Sequence, residues 1–125
     1  VGHTGNIDAT RCSMEALDLQ LARILPVIDR LHGVAIITAD HGNADEMYEL
    51  DKSGNAKRSA DGKPKAKTSH TLNAVPCILY DNFYKDKYTV LNEGSYGLSN
   101  IAATTVNLLG YEAPDMWCAS MIKIK

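Results

Sequence analysis

Between Asp8 and Leu31 the apolar residues Met14, Leu17, Leu21, Ile24, Ile28 and Leu31 recur at steps of three and four. The β-branched run Gly33-Val34-Ala35-Ile36-Ile37-Thr38 follows at once. The first pattern is one stripe of an amphipathic helix. The second is short, continuous and apolar, as in a strand buried in a parallel sheet. A helix feeding directly into such a strand confines the chain to the α/β class. Asp8 or Thr10 is expected to cap the helix start, and Gly33 lies just past its end. Pro26 removes a backbone donor inside the pattern, so a kink or two abutting helices is expected.

Further along, a short helix is predicted near Ala44–Tyr48. The segment Asp51–Lys67 then carries Lys52, Lys57, Arg58, Lys63, Lys65 and Lys67 against Asp51 and Asp61 alone, a net +4. With Gly54, Gly62 and Pro64 it reads as a solvated loop insertion or a loose hairpin. Val75–Tyr80 is a second strand, with Pro76 restricted to its beginning, and Tyr88–Leu91 is a weaker strand candidate. Ser99–Leu109 reads as a helix with Ser99 as N-cap and Gly110 as the residue after its end. Pro114 prevents continuation, and Ile122 closes an apolar tail.

The 125 residues suffice for one domain or part of one. A net charge of −2 argues against bulk electrostatic binding to nucleic acid or to an acidic membrane surface. No apolar run approaches the roughly 20 residues of a membrane-spanning helix, and no secretion signal is visible. Cys12, Cys77 and Cys118 are odd in number and widely spaced, which fits a reducing, cytoplasmic setting; their apolar neighbours suggest core filler. The chain opens Val1-Gly2-His3 without an initiator Met, so it is expected to be cut from something longer.

Chemistry concentrates on histidine. His32 follows the long helix and complements its C-terminus, a structural position. His3, His41 and His70 instead sit in the polar contexts Gly2-His3-Thr4-Gly5, Asp40-His41-Gly42-Asn43 and Ser69-His70-Thr71. Asp40 and His41 come straight after the first strand, at the carboxyl edge where open α/β sheets bind ligands. A carboxylate beside an imidazole offers two metal donors, with Gly42 allowing an unusual turn. The alternative is that Asp40 caps a following helix while His41 and His70 are loop residues and His3 belongs to a frayed terminus. Taken together, Asp and several His without paired cysteines suit Mn²⁺ or Zn²⁺ better than a structural zinc site. Asp45 and Glu46 either support such a site from behind or favour a helix start. None of the serines lies in G-x-S-x-G.

Three stretches, Gly2-His3-Thr4-Gly5, Thr38-Ala39-Asp40-His41-Gly42-Asn43-Ala44-Asp45 and Thr68-Ser69-His70-Thr71, resemble cofactor-independent phosphoglycerate mutases of the alkaline phosphatase superfamily. Asn73-Ala74-Val75-Pro76 and the tail from Leu98 through Gly110 to Pro114, Met116 and Ser120 agree, so the likeness covers essentially the whole chain. It implies that residues 1–125 form the C-terminal part of a phosphatase-like, three-layer metal-binding domain. That domain has a mostly parallel sheet with flanking helices, and here a basic insertion at 51–67. It also implies a cytoplasmic, glycolytic isomerase that interconverts 3-phosphoglycerate and 2-phosphoglycerate through a phosphoserine and two Mn²⁺, with Mg²⁺ or another divalent ion in some members.

By that resemblance His3 and His70 ligate one metal, and Asp40 and His41 the other. The serine nucleophile, the acid/base, the substrate arginines and an aspartate ligand fall upstream of Val1. The chain alone is therefore expected to be inactive and to self-associate through uncovered apolar surface. Two other classes compete. One is a sister enzyme, such as a phosphopentomutase, phosphatase or sulfatase; the other is a non-enzymatic α/β interaction module.

Overall fold

A computed structural model of the chain describes residues 1–91 and 93–125. A single 3-10 turn, Gly2–Thr4, precedes helix α1 (Ile7–Arg30). Strands β1 (Ala35–Thr38), β2 (Cys77–Tyr80) and β3 (Tyr88–Val90), helix α2 (Asn100–Leu108) and strand β4 (Ile122–Ile124) follow. Helices alternating with strands give the α/β class expected. The described residues form two two-stranded sheets, β1–β2 and β3–β4, compatible with part of a larger α/β domain. The β3–β4 pair is antiparallel, with Thr89 opposite Lys123. Two compact units are present: Val1–Val27 with Ile37–Ile78, and Ile28–Ile36 with Leu79–Lys125.

In the first unit α1 starts at Ile7, one residue before the earliest expected cap. Asn6 caps it: its side-chain oxygen accepts the Ala9 N–H at 3.0 Å, and its carbonyl accepts the buried Thr10 hydroxyl at 2.9 Å. Pro26 lies inside one uninterrupted helix of 24 residues, not between two. β1 is half-buried where a fully buried strand was expected, and Thr38 at its end donates its hydroxyl to the Pro76 carbonyl at 2.8 Å.

No helix forms at Ala44–Tyr48; a turn closed by Glu46 N–H on the Asn43 carbonyl stands there. The basic insertion is an ordered double hairpin. Glu49 N–H bonds Lys65 O, Lys65 N–H bonds Lys57 O, and Lys57 N–H bonds Glu49 O, closing a triangle of backbone bonds at 2.8–2.9 Å. The turns are made by Asp51, which accepts the Ser53 and Asn55 N–H groups, and by Gly54 and Gly62, at φ +81 and +79. Glu49 draws Lys65 to 2.8 Å and Lys57 to 3.5 Å, so part of the positive charge is neutralised locally.

In the second unit α1 ends in a Schellman motif: Gly33 N–H reaches Ile28 O and His32 N–H reaches Asp29 O. The left-handed residue is His32, at φ +50, with Gly33 one place later. That conformation costs about 1–2 kcal/mol for a residue with a Cβ. Its ring rests on Phe83 at 4.4 Å, a contact that offsets part of the cost. Asp29 accepts the Tyr80 hydroxyl and the Asn82 amide. α2 begins without a side-chain cap from Ser99; Asn100 instead accepts the Gly97 N–H at 2.7 Å. Gly110, at φ +84, ends the helix as expected. Tyr88, Ala103, Thr104 and Ile122 are buried here, and Thr104 links α2 to the tail by accepting the Met121 N–H.

Candidate metal centre

Three loops of the first unit carry His3, His41 and His70, and their close approach depends on glycine. The space a Gly2 side chain would fill is taken by the Asn43 side-chain oxygen, and a Cβ on Gly42 would run into the Thr71 hydroxyl. Gly42 therefore serves by having no side chain; it is not among the glycines with positive φ. Without those two side chains the His41 loop can pair with the His70 loop, where Thr71 N–H bonds Gly42 O at 2.8 Å. Gly5, at φ +70, ends the turn that carries His3.

The result is a cluster in which one ligating nitrogen from each of His3, His41 and His70 lies within 4.8 Å of the others. His41 stacks on His70 with centroids 3.6 Å apart and planes 12° from parallel; His3 sits 5.0 Å from His70 and 5.5 Å from His41. His3 Nδ1 lies 2.6 Å from the Thr68 carbonyl, which can only accept, so Nδ1 is the donor there and Nε2 is the nitrogen left to face a metal. His41 Nδ1 faces the Gly42 carbonyl at 3.2 Å in the same way. Imidazoles sharing one ion at bond lengths of about 2.1 Å would have nitrogens about 3.4 Å apart. The observed spacing is within a small side-chain adjustment of that, so these residues fit a divalent cation.

Behind the histidines a polar bracket joins the loops. Asp45 accepts the Thr71 hydroxyl at 2.9 Å and the Asn73 amide at 2.6 Å. Glu46 accepts Lys67 at 2.6 Å. The Asn73 hydrogen bond holds the Asp45 carboxyl below its ordinary range, as the Lys67 hydrogen bond does for Glu46. Both stay anionic and keep their donors in place. These two residues support the loops; no helix start exists for them to favour.

Of the expected site residues, His3, His41 and His70 come together, whereas Asp40 lies outside that group. Its side chain is 87% exposed and its Oδ1 is 3.7 Å from His41 Nε2. The pairing implied by resemblance sets His3 with His70 and Asp40 with His41; in the structure the stacked rings also bring His41 to His70, so the two pairs adjoin. Gly2, Asn43, Thr68 and Asn73 belong to the motifs noted in the sequence, but their supporting roles are not legible there. Glycine beside two of the three histidines was the available signal, visible as Gly2-His3 and His41-Gly42. The three cysteines are free and exposed, not core filler.

The family model described as the metalloenzyme superfamily matches residues 1–113. A probable 2,3-bisphosphoglycerate-independent phosphoglycerate mutase of Leptospira interrogans is 44% identical over 123 residues, 98% of this chain and 22% of that protein. The 2,3-bisphosphoglycerate-independent phosphoglycerate mutase of Trypanosoma brucei brucei is 41% identical, over 99% of this chain and 23% of its own length. A crystal structure of Leishmania mexicana phosphoglycerate mutase at low cobalt concentration superposes with a TM-score of 0.92 at 39% identity, covering 100% of this chain and 23% of that one. The chain thus spans under a quarter of the length of these relatives.

Proposed function

Because the chain belongs to the metalloenzyme superfamily, we propose that it is the C-terminal metal-binding portion of a cofactor-independent phosphoglycerate mutase, interconverting 3-phosphoglycerate and 2-phosphoglycerate. The observation that carries this reading is the convergence of His3, His41 and His70 from three distant loops. Under it, His3 and His70 hold one divalent cation, and His41 with the adjacent Asp40 holds a second. Imidazole and carboxylate donors without thiolate suit Mn²⁺, with Mg²⁺ or Co²⁺ as substitutes, and the cobalt of the Leishmania relative agrees.

Ions held by these residues would supply positive charge to balance that of a transferring phosphoryl group. The protein's own share is orientation. The Thr68 and Gly42 carbonyls fix which nitrogen of His3 and His41 is free, and Asp45 with Asn73 holds the His70 loop against its neighbour. None of the serines lies in G-x-S-x-G; under this reading the serine nucleophile and the acid/base belong to the remainder of the enzyme, and the chain alone is inactive.

A cytoplasmic, glycolytic setting accords with three free thiols, and among the described residues no helix is long and apolar enough to cross a membrane. Exposed Met14, Leu17 and Ile24, on one face of α1, offer a surface for self-association.

The test is an assay of the longer polypeptide carrying this segment. Conversion of 3-phosphoglycerate without added 2,3-bisphosphoglycerate, dependent on Mn²⁺ and abolished by His70→Ala, is the expected result. Hydrolysis of simple phosphate esters with no mutase activity would instead assign a sister phosphatase and overturn the proposal.

A further inference from the structure

One side chain touches all three histidine-bearing loops. Asn43 is 9% exposed, and its Nδ2 donates to the Ser69 carbonyl at 3.1 Å, on the loop that carries His70. Its Oδ1 fills the place a Gly2 side chain would occupy, on the loop that carries His3. Asn43 itself follows His41 by two positions. The Ser69 carbonyl can only accept, so the amide orientation is fixed by chemistry. Neighbouring supports each link only two loops: Thr68 to His3, Thr71 to Gly42, and Asp45 with Glu46 to Thr71, Asn73 and Lys67.

We propose that Asn43 is the positioning residue that sets the mutual placement of His3, His41 and His70, acting through Gly2 and Ser69 and not as a ligand. The inference rests on the metal-binding reading above. Its physical basis is that three ligands on separate loops lose chelate affinity when any loop moves by a fraction of an ångström, and that supporting groups of metal ligands commonly control affinity by 10–100-fold. Gly2 belongs to the same device: a side chain there would displace the Asn43 oxygen, and with it the amide bonded to Ser69.

Asn43→Asp keeps the shape and the Oδ1 against Gly2, but sets a second acceptor against the Ser69 carbonyl. Gly2→Ala perturbs the same contact from the other side. Asn100→Ala is the control, since Asn100 is equally buried and also donates to a backbone carbonyl, that of Ala119, in the second unit. Two readouts are taken on the 125-residue chain. One is Co²⁺ affinity with its visible spectrum; the other is the ring-current shift of the stacked His41 and His70 protons by NMR without metal.

Asn43→Asp and Gly2→Ala are expected to weaken Co²⁺ binding by about 10–100-fold, to alter the cobalt spectrum and to reduce the ring-current shift. Asn100→Ala changes none of these while lowering thermal stability. Wild-type cobalt affinity and ring-current shifts in both Asn43→Asp and Gly2→Ala would overturn the role of Asn43 and leave the metal reading intact. Absence of cobalt binding by the unsubstituted chain would overturn the metal reading, and the ring-current shifts would then decide the placement role by themselves.

Discussion

The imidazoles of His41 and His70 lie face to face, 3.6 Å between centroids and 12° from parallel, on loops joined by the Gly42–Thr71 backbone bridge. Asp40 stands at the margin of this stack, mostly exposed, 3.7 Å from His41 Nε2. Its loss should therefore remove less than the loss of a stacked ring. Asp40→Asn is expected to lower the Mn²⁺ stoichiometry of the chain from two ions to one, read by equilibrium dialysis, with the remaining ion bound at nearly unchanged affinity. An equal collapse of both sites would show that Asp40 belongs with the three histidines.

Gly42→Ala places a methyl group against the Thr71 hydroxyl and 2.8 Å from an Asp45 oxygen. Overpacking of this kind costs about 1–3 kcal/mol. The expected outcome is a lower denaturation midpoint together with weaker metal binding, because the clash sits on the bridge between two histidine loops. Gly54→Ala, strained by its φ but open in space and remote from the histidines, should leave metal affinity unchanged.

Tyr88 and Asp81 give the second unit a pH dependence. Burial, followed by the hydrogen bond to Asp81, pushes the Tyr88 hydroxyl up to about 12 from 10.0. The raised value means the folded state keeps the phenol proton after the unfolded chain has lost it. That stabilisation is complete below about pH 10 and disappears as pH rises through about 12, a loss of up to about 3 kcal/mol. Asp81 behaves oppositely: burial raises its carboxyl, but the Tyr84 and Phe83 N–H groups and the Tyr88 hydroxyl outweigh this and leave it lowered. Its contribution is present above the ordinary value of 3.8 and is lost as pH falls below it. Denaturant titrations followed by Trp117 fluorescence should show both limbs, and Tyr88→Phe should flatten the alkaline one.

On one face of α1, Met14 and Leu17 are each 52% exposed and Ile24 is 51% exposed. If this face mediates self-association, Leu17→Glu should shift light-scattering mass toward monomer at high concentration without changing helix content by circular dichroism. An unchanged mass distribution would remove α1 from the contact.

The α/β class and most elements are legible from periodicity and turn residues: Asn100–Leu108 and Cys77–Tyr80 fall inside their expected ranges, although the apolar stripe of α1 that the periodicity marks stays exposed at Met14, Leu17 and Ile24. Local rules fail where a neighbour decides the outcome. His32 occupies the left-handed position that Gly33 invites, with its ring supported by Phe83. The expected helix at Ala44–Tyr48 is lost because the backbone at Met47, Tyr48 and Glu49 pairs with the distant Lys65–Lys67 segment. The histidines were legible as candidates from their glycine- and hydroxyl-flanked contexts, whereas their grouping was not. Which ring stacks on which depends on backbone pairing between loops far apart in sequence, at Gly42 and Thr71.

The most direct test of the metal centre is a calorimetric Mn²⁺ titration of the chain beside its His41→Ala and His70→Ala variants. Saturable binding that each substitution weakens is the result expected when His41 is lost from one ion's site and His70 from the other's. Binding that both variants retain, or no binding by the unsubstituted chain, would contradict it.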